Sequence, residues 1–284
     1  MRKIIKTTDG GDNMLTNKKW IGLFAVTGAM LIISVLLDNQ LAKLFYFSSN
    51  PFGVFCVNVV PSLALFICCF AAVSLMMNRN SHATRTKTRV TNAMYLILGF
   101  AFSFAGGYYP FRNVTVKPYL IIAAIAVGAT GLLIYLNYAL FKNTYQKIAI
   151  TRVSKAVIIS ALIIAAICFA ASLLPQRVSY AGLQTALSSY ADPNDTTGLL
   201  RTPYIAFPTA AGAMVIWANA LVAVIPKLKF SSNMVFALTI IWIFLVAIGS
   251  VTSGEVYASS AAGGVLAAIC VIFAISKISE KKDN

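Results

Sequence analysis

Of the chain's 284 residues, 59% are hydrophobic and only 11% are charged, too few charged groups to clothe a water-soluble globule of this size. The net charge of +15 does not point to nucleic acid either, because a nucleic-acid binder gathers its Lys and Arg on one polar face and here they punctuate long apolar runs. Lipid is the solvent this composition calls for.

The first apolar stretch, Ile21 to Leu37, follows a basic tail, 1–19, and is longer than a usual signal-peptide core. It ends in Asp38-Asn39-Gln40 without a small-residue cleavage site, and so reads as a retained membrane helix. Since about 20 apolar residues span the hydrocarbon core, eight membrane segments are predicted, near 20–37, 53–77, 92–107, 118–141, 156–174, 208–226, 232–250 and 256–276. The fold class is therefore an all-α, multi-pass transmembrane helix bundle over 20–276, closed by a second basic tail, 277–284. Between the third and fourth segments, Gly106-Gly107-Tyr108-Tyr109-Pro110-Phe111 reads as a tight interfacial turn that packing explains without any function. Between the fifth and sixth, Leu183, Ala186, Leu187 and Tyr190 stand at helical spacing before the turn-forming Asp192-Pro193-Asn194-Asp195, as in a short helix lying on the membrane surface.

An even number of spans puts both ends on one side, and the basic residues then separate sharply. On the side of the termini fall 18 of the 23 Lys and Arg; the other side holds only Lys43, Arg112, Lys117, Arg177 and Arg201. The excess of positive charge on the inner face predicts a cell-membrane protein with cytoplasmic N- and C-termini. All five cysteines (Cys56, Cys68, Cys69, Cys168 and Cys270) lie in or beside apolar segments without metal-type spacing, so neither a disulfide framework nor a metal site is expected, and no cofactor.

The last 110 residues or so carry three stretches in a telling order. Gln176-Arg177-Val178-Ser179-Tyr180 stands at the outer end of the fifth segment, Ala206-Phe207-Pro208-Thr209-Ala210-Ala211 opens the sixth, and the run from Gly249 to Gly264 joins the seventh to the eighth. Together they resemble the motifs of the type 2 phosphatidic acid phosphatase family, K-x6-R-P (G-R-V-R-Y in some bacterial branches), P-S-G-H and S-R-x5-H-x3-D. Arg177, Gly254, Tyr257 and Gly264 match that frame. The upstream lysine position is Ala170, and the histidine, arginine, second histidine and aspartate positions are Ala211, Ser250, Val256 and Ser260. The resemblance implies a six-helix core to which the third and fourth segments are an added hairpin.

In that family one histidine attacks phosphorus, the aspartate orients it, the other histidine protonates the leaving group, and basic residues with helix-end amides hold the phosphate. Alanine, valine and serine supply no nucleophilic nitrogen, carboxylate or near-neutral proton donor. The single histidine, His82, falls in the cytoplasmic loop between Arg79 and Arg89, about 30 Å of hydrocarbon from the outer motifs. What the resemblance implies is a catalytically degenerate relative that binds a phospholipid or polyprenyl phosphate headgroup at the outer face, or scaffolds a membrane-protein partner. The candidate binding residues are Arg177, Tyr180, Arg201, Thr209, Ser250, Glu255 and Tyr257. Two other readings stay open: a lipid phosphatase or phosphotransferase working through Arg177, Thr209, Ser250 and Glu255, and a lipid transporter or flippase.

Each candidate also has a plainer account. Arg177 and Arg201 are placed where arginines snorkel to lipid phosphates. Glu255, the only carboxylate predicted near the inside of a segment, pairs with Arg177 or else sits in water on an outer loop. The small residues Gly212, Ala218, Ala220, Ala258, Ala262, Gly263 and Gly264 suit close helix packing better than a cavity, and basic inner loops follow from topology alone.

Overall fold

The computed structural model describes residues 15–47, 50–78, 85–112, 114, 116–141, 147–181, 183–184, 201–224 and 231–281. Within them the chain is almost entirely helical. Helix α1 runs Asn17–Phe45, α2 Pro51–Met77, α3 Arg85–Tyr108, α4 Tyr119–Phe141, α5 Lys147–Ser172, α6 Phe207–Ala213, α7 Trp217–Val224, α8 Ser232–Thr252 and α9 Ala258–Lys281. A 3-10 turn, Tyr109–Phe111, closes α3, and another, Met214–Ile216, joins α6 to α7. Two short strands, β1 (Arg177–Val178) and β2 (Arg201–Thr202), pair antiparallel.

Seven of these helices are long and apolar enough to cross a membrane, and Phe207–Leu221 adds a shorter apolar segment. The protein is a multi-pass helical membrane protein. Exposed apolar side chains such as Ile21, Leu36, Leu120 and Ile241 clothe its outer surface, as expected where hydrocarbon is the solvent. Within a spanning helix the backbone groups hydrogen-bond to one another, which is what hydrocarbon demands.

Several boundaries differ from the sequence reading: α3 starts at Arg85 and α5 at Lys147, ahead of the expected 92 and 156. The first segment was expected to stop at Leu37, but α1 continues through Asp38 to Phe45, with a break in helical geometry at Leu37 (φ −116°, ψ 18°). The acid lies inside the helix, one residue past that break. The sixth segment, expected as one span over 208–226, is two short helices around a 3-10 turn. The predicted surface helix lies mostly outside the described residues, as do His82 and its loop.

Helix α2 is the central post. It begins under a cap, with the side chain of Asn50 accepting from the Phe52 amide at 3.0 Å and Pro51 in the first turn. It packs against α3, α4, α5, α6 and α8. The α3–α4 hairpin leans on α2, whereas α1, α5, α6 and α8 close around α9. In lipid, close approach depends on small residues, and three glycines mark where it happens. A Cβ on Gly53 would meet the Ser253 backbone at 2.8 Å, one on Gly212 would meet Val246 at 2.8 Å, and one on Gly249 would collide with Cys56.

The helix ends fall into two sets. Lys277 donates to the side chain of Asn17 at 3.3 Å, so the start of α1 and the end of α9 share one end of the bundle. Trp20, Phe24 and Phe273 pack edge to face just inside it. The other end gathers the end of α1, the starts of α2, α6 and α9, and the β1–β2 pair.

Candidate functional site

At this second end the three stretches singled out in the sequence meet. The amide of Ala206, before α6, donates to the carbonyl of Ser260 in α9 at 3.1 Å, and the Tyr257 hydroxyl donates to the carbonyl of Val178 in β1 at 3.1 Å. Gly264 lies directly under α6: a Cβ there would overlap the Ala206 carbonyl and the Thr209 hydroxyl. Gly254, at φ +72°, makes the turn from α8 to α9 possible, a backbone setting that an L side chain resists. The strand pair brings Arg201 beside Val178 and Thr202 beside Arg177.

Arg177 does not pair with Glu255, as the sequence suggested. One of its amino groups donates to Asp38 at 2.7 Å; the other donates to the hydroxyls of Ser259 at 2.8 Å and Ser260 at 3.0 Å. The guanidinium lies over the rings of Tyr257 at 4.5 Å and Tyr204 at 5.4 Å. Asp38 in turn accepts from the Ser259 hydroxyl at 2.5 Å and from the Ser259 amide, in the first turn of α9, at 3.0 Å. Its side chain is only 12% exposed. Asp38, not Glu255, is the deeper carboxylate at this end, and it outcompetes Glu255 for Arg177 because α1 and α9 pack side by side.

Glu255 finds Arg112 instead, at 2.9 Å, with both side chains about a quarter to a third exposed, 25% and 30%. Arg112 follows the 3-10 turn of the α3–α4 hairpin and also donates to the Tyr109 hydroxyl at 2.7 Å while lying over that ring. Tyr109 packs against Phe207 at the start of α6, with ring centroids 5.6 Å apart. The aromatic turn that packing alone was expected to explain thus delivers two polar side chains to the site.

These groups border a cleft of about 350 Å³. Tyr109, Arg112, Arg201 and Glu255 form its polar wall; Val57, Phe207, Pro208 and Val256 form the apolar one. Among the described residues no carboxylate pairs with Arg201, so two cations and one anion face this space. One turn further along the same helices opens an apolar groove of about 470 Å³. Val60, Leu63 and Ile67 of α2 face Ala211 and Gly212 of α6 across it, and Trp242 of α8 borders it. From Val60 to Phe70 the groove follows α2 for about 15 Å.

The remaining candidates are scattered by role. Thr209 turns its hydroxyl back to the Ala206 carbonyl at 3.0 Å and is buried against Gly264. Ser250 is fully buried, and its hydroxyl has no hydrogen-bond partner among the described residues. Tyr180 packs edge to face on Tyr46. Tyr257 is shared between β1 and Arg177, and burial holds its phenol above the ordinary value while the nearby guanidinium pulls the other way. Ala211 and Val256 are buried and apolar, one in the groove and one in the cleft, whereas Ser260 serves Arg177.

Sequence reasoning missed Asp38, Arg112, Tyr109 and Ser259. Asp38 had left a signal, as one of eight acidic residues in the chain placed at the edge of an apolar run. Among the described residues no group of three His, Cys, Asp or Glu side chains is arranged to hold a metal ion. Compared with protein-family models, curated proteins and solved structures, the chain matches none.

Proposed function

We propose that the chain is a non-hydrolysing membrane protein that holds an anionic lipid, a phospholipid or polyprenyl phosphate, with its headgroup in the Arg112–Arg201 cleft. The observation that carries this reading is the stacking of a cationic cleft on an apolar groove along one seam between α2 and α6. Val57 borders the cleft and Val60 the groove, while Pro208 borders the cleft and Ala211 the groove. Residues three apart on a helix are one turn apart, about 5 Å. A ligand that fills both hollows is charged at one end and hydrocarbon at the other. Charge-assisted hydrogen bonds from guanidinium groups suit a phosphate, and the groove suits one chain.

The motif frame adds support from the sequence side. The three stretches that resemble the lipid phosphatases border or adjoin this cleft, and Ala211, Val256 and Ser260 stand where that chemistry needs imidazoles and a carboxylate. The excess of Lys and Arg beside the termini supports a cell-membrane orientation with both tails in the cytoplasm and the cleft at the outer leaflet.

The test is lipid binding by the purified chain in detergent, with phosphatidic acid and a polyprenyl phosphate against phosphatidylcholine. Arg201→Ala is expected to weaken binding of the first two by about tenfold to a hundredfold and to leave the third unchanged. Equal binding of all three lipids would remove the headgroup reading and leave a scaffold for a membrane partner. Release of inorganic phosphate would establish an enzyme with unfamiliar residues. Movement of a labelled lipid across proteoliposomes would establish a transporter.

A further inference from the structure

The cluster around Arg177 is built like a receptor for an oxyanion, yet the chain fills it with its own carboxylate. Its guanidinium has anchors other than Asp38, and its amide belongs to the backbone of α9. Arg177 is fixed by the β1–β2 pair and by the tyrosine rings beneath it, and it reaches both serine hydroxyls of the first turn of α9. The Ser259 amide belongs to that same first turn, where backbone N–H groups have no acceptor within their own helix. A guanidinium, a first-turn amide and a hydroxyl converging on one point are what a carboxylate and a phosphate oxygen recognise alike.

What sits at that point is Asp38, carried in by a helix that is distant in sequence and adjacent in space. The break in α1 at Leu37 comes immediately before it. Its two oxygens take three hydrogen bonds, of 2.5, 2.7 and 3.0 Å. The guanidinium is not fully spent: the Arg177 Nε is buried and has no hydrogen-bond partner among the described residues. Arg177 is also one-third exposed, at 33%, so the cluster is reachable from water.

We propose that Asp38 is an internal anion occupying an oxyanion-binding site, and that removing its charge opens that site to phosphate. In the wild-type chain this self-occupation keeps an external headgroup out of the Arg177 cluster and in the Arg112–Arg201 cleft, a consequence that rests on the function proposed above. The receptor itself does not depend on that reading.

The experiment separates the two. In full-length protein carrying Arg201→Ala, which disables the cleft, inorganic phosphate is titrated by calorimetry with Asp38 intact, with Asp38→Asn and with Asp38→Ala. Both Asp38 variants are expected to bind phosphate about tenfold more tightly than their parent, and adding Arg177→Ala is expected to abolish the gain. Folded variants that bind no better than the parent would reduce Asp38 to a tie between α1 and α9. Loss of fold in both variants would overturn the proposal as well, by making the carboxylate an indispensable strut. If instead Arg201→Ala alone leaves lipid binding unchanged while the Asp38 variants gain phosphate, the cleft reading fails and the internal anion stands.

Discussion

Two arginine–carboxylate pairs stand at the same end of this bundle and are put to opposite uses. Arg177 and Asp38 join β1, α1 and the first turn of α9, and the acid is nearly enclosed at 12% exposure. Arg112 and Glu255 join two turns, and both partners remain partly open. The first pair gives its hydrogen bonds to the protein itself, while the second borders a cleft that also receives Arg201. The lesson is that exposure of the carboxylate, more than the presence of an arginine, separates a structural charge from one free to meet a ligand. Burying a charge is costly, and a bilayer protein spends such charges where several elements must be held together.

This contrast is open to direct attack. Arg177→Ala should be the most damaging change, because it strands a buried anion in α1; a loss of about 3 kcal/mol is expected in unfolding by denaturing detergent. Gly264→Ala attacks the platform under both pairs by forcing a Cβ into the Ala206 carbonyl and the Thr209 hydroxyl, and about 2 kcal/mol should be lost. Asp38→Ala should cost less than Arg177→Ala, about 1–2 kcal/mol, since the guanidinium left behind still rests on Tyr257 and reaches water. Saturating inorganic phosphate should restore part of that loss in Asp38→Ala and none in Arg177→Ala, through binding to the folded state alone. Arg112→Ala, at the half-open pair, should cost about 1 kcal/mol or less. Arg201→Ala should leave the melting temperature nearly unchanged while weakening anionic-lipid binding. If Arg112→Ala proves as damaging as Arg177→Ala, the division between a closed pair and an open pair collapses.

The site was half legible before the structure. Arg177, Tyr257, Gly254 and Gly264 stood out because their order and spacing fit a frame, and they do come together. Asp38 and Arg112 had no such frame, being 139 and 143 positions away from the residues they bind. The proposed pairing of Glu255 with Arg177 failed for the same reason: five basic residues were placed on the outer side, and nothing in the chain says which one the turn after α8 faces. Tyr109 was set aside because an aromatic turn at a membrane edge is ordinary.

What the sequence by itself determined is the solvent and the all-helical, multi-pass class. Those follow from the summed transfer free energy of about 20 neighbouring residues, a local quantity that can be read from any window of the chain. The tertiary structure decided which charges are silenced and which remain available. That outcome depends on how far each helix is rotated, on a break at Leu37 that lets α1 carry an acid to the mouth of α9, and on glycines that let backbones approach. None of these is a property of a single segment, because a side chain's partner is chosen by the packing of helices that are distant in sequence.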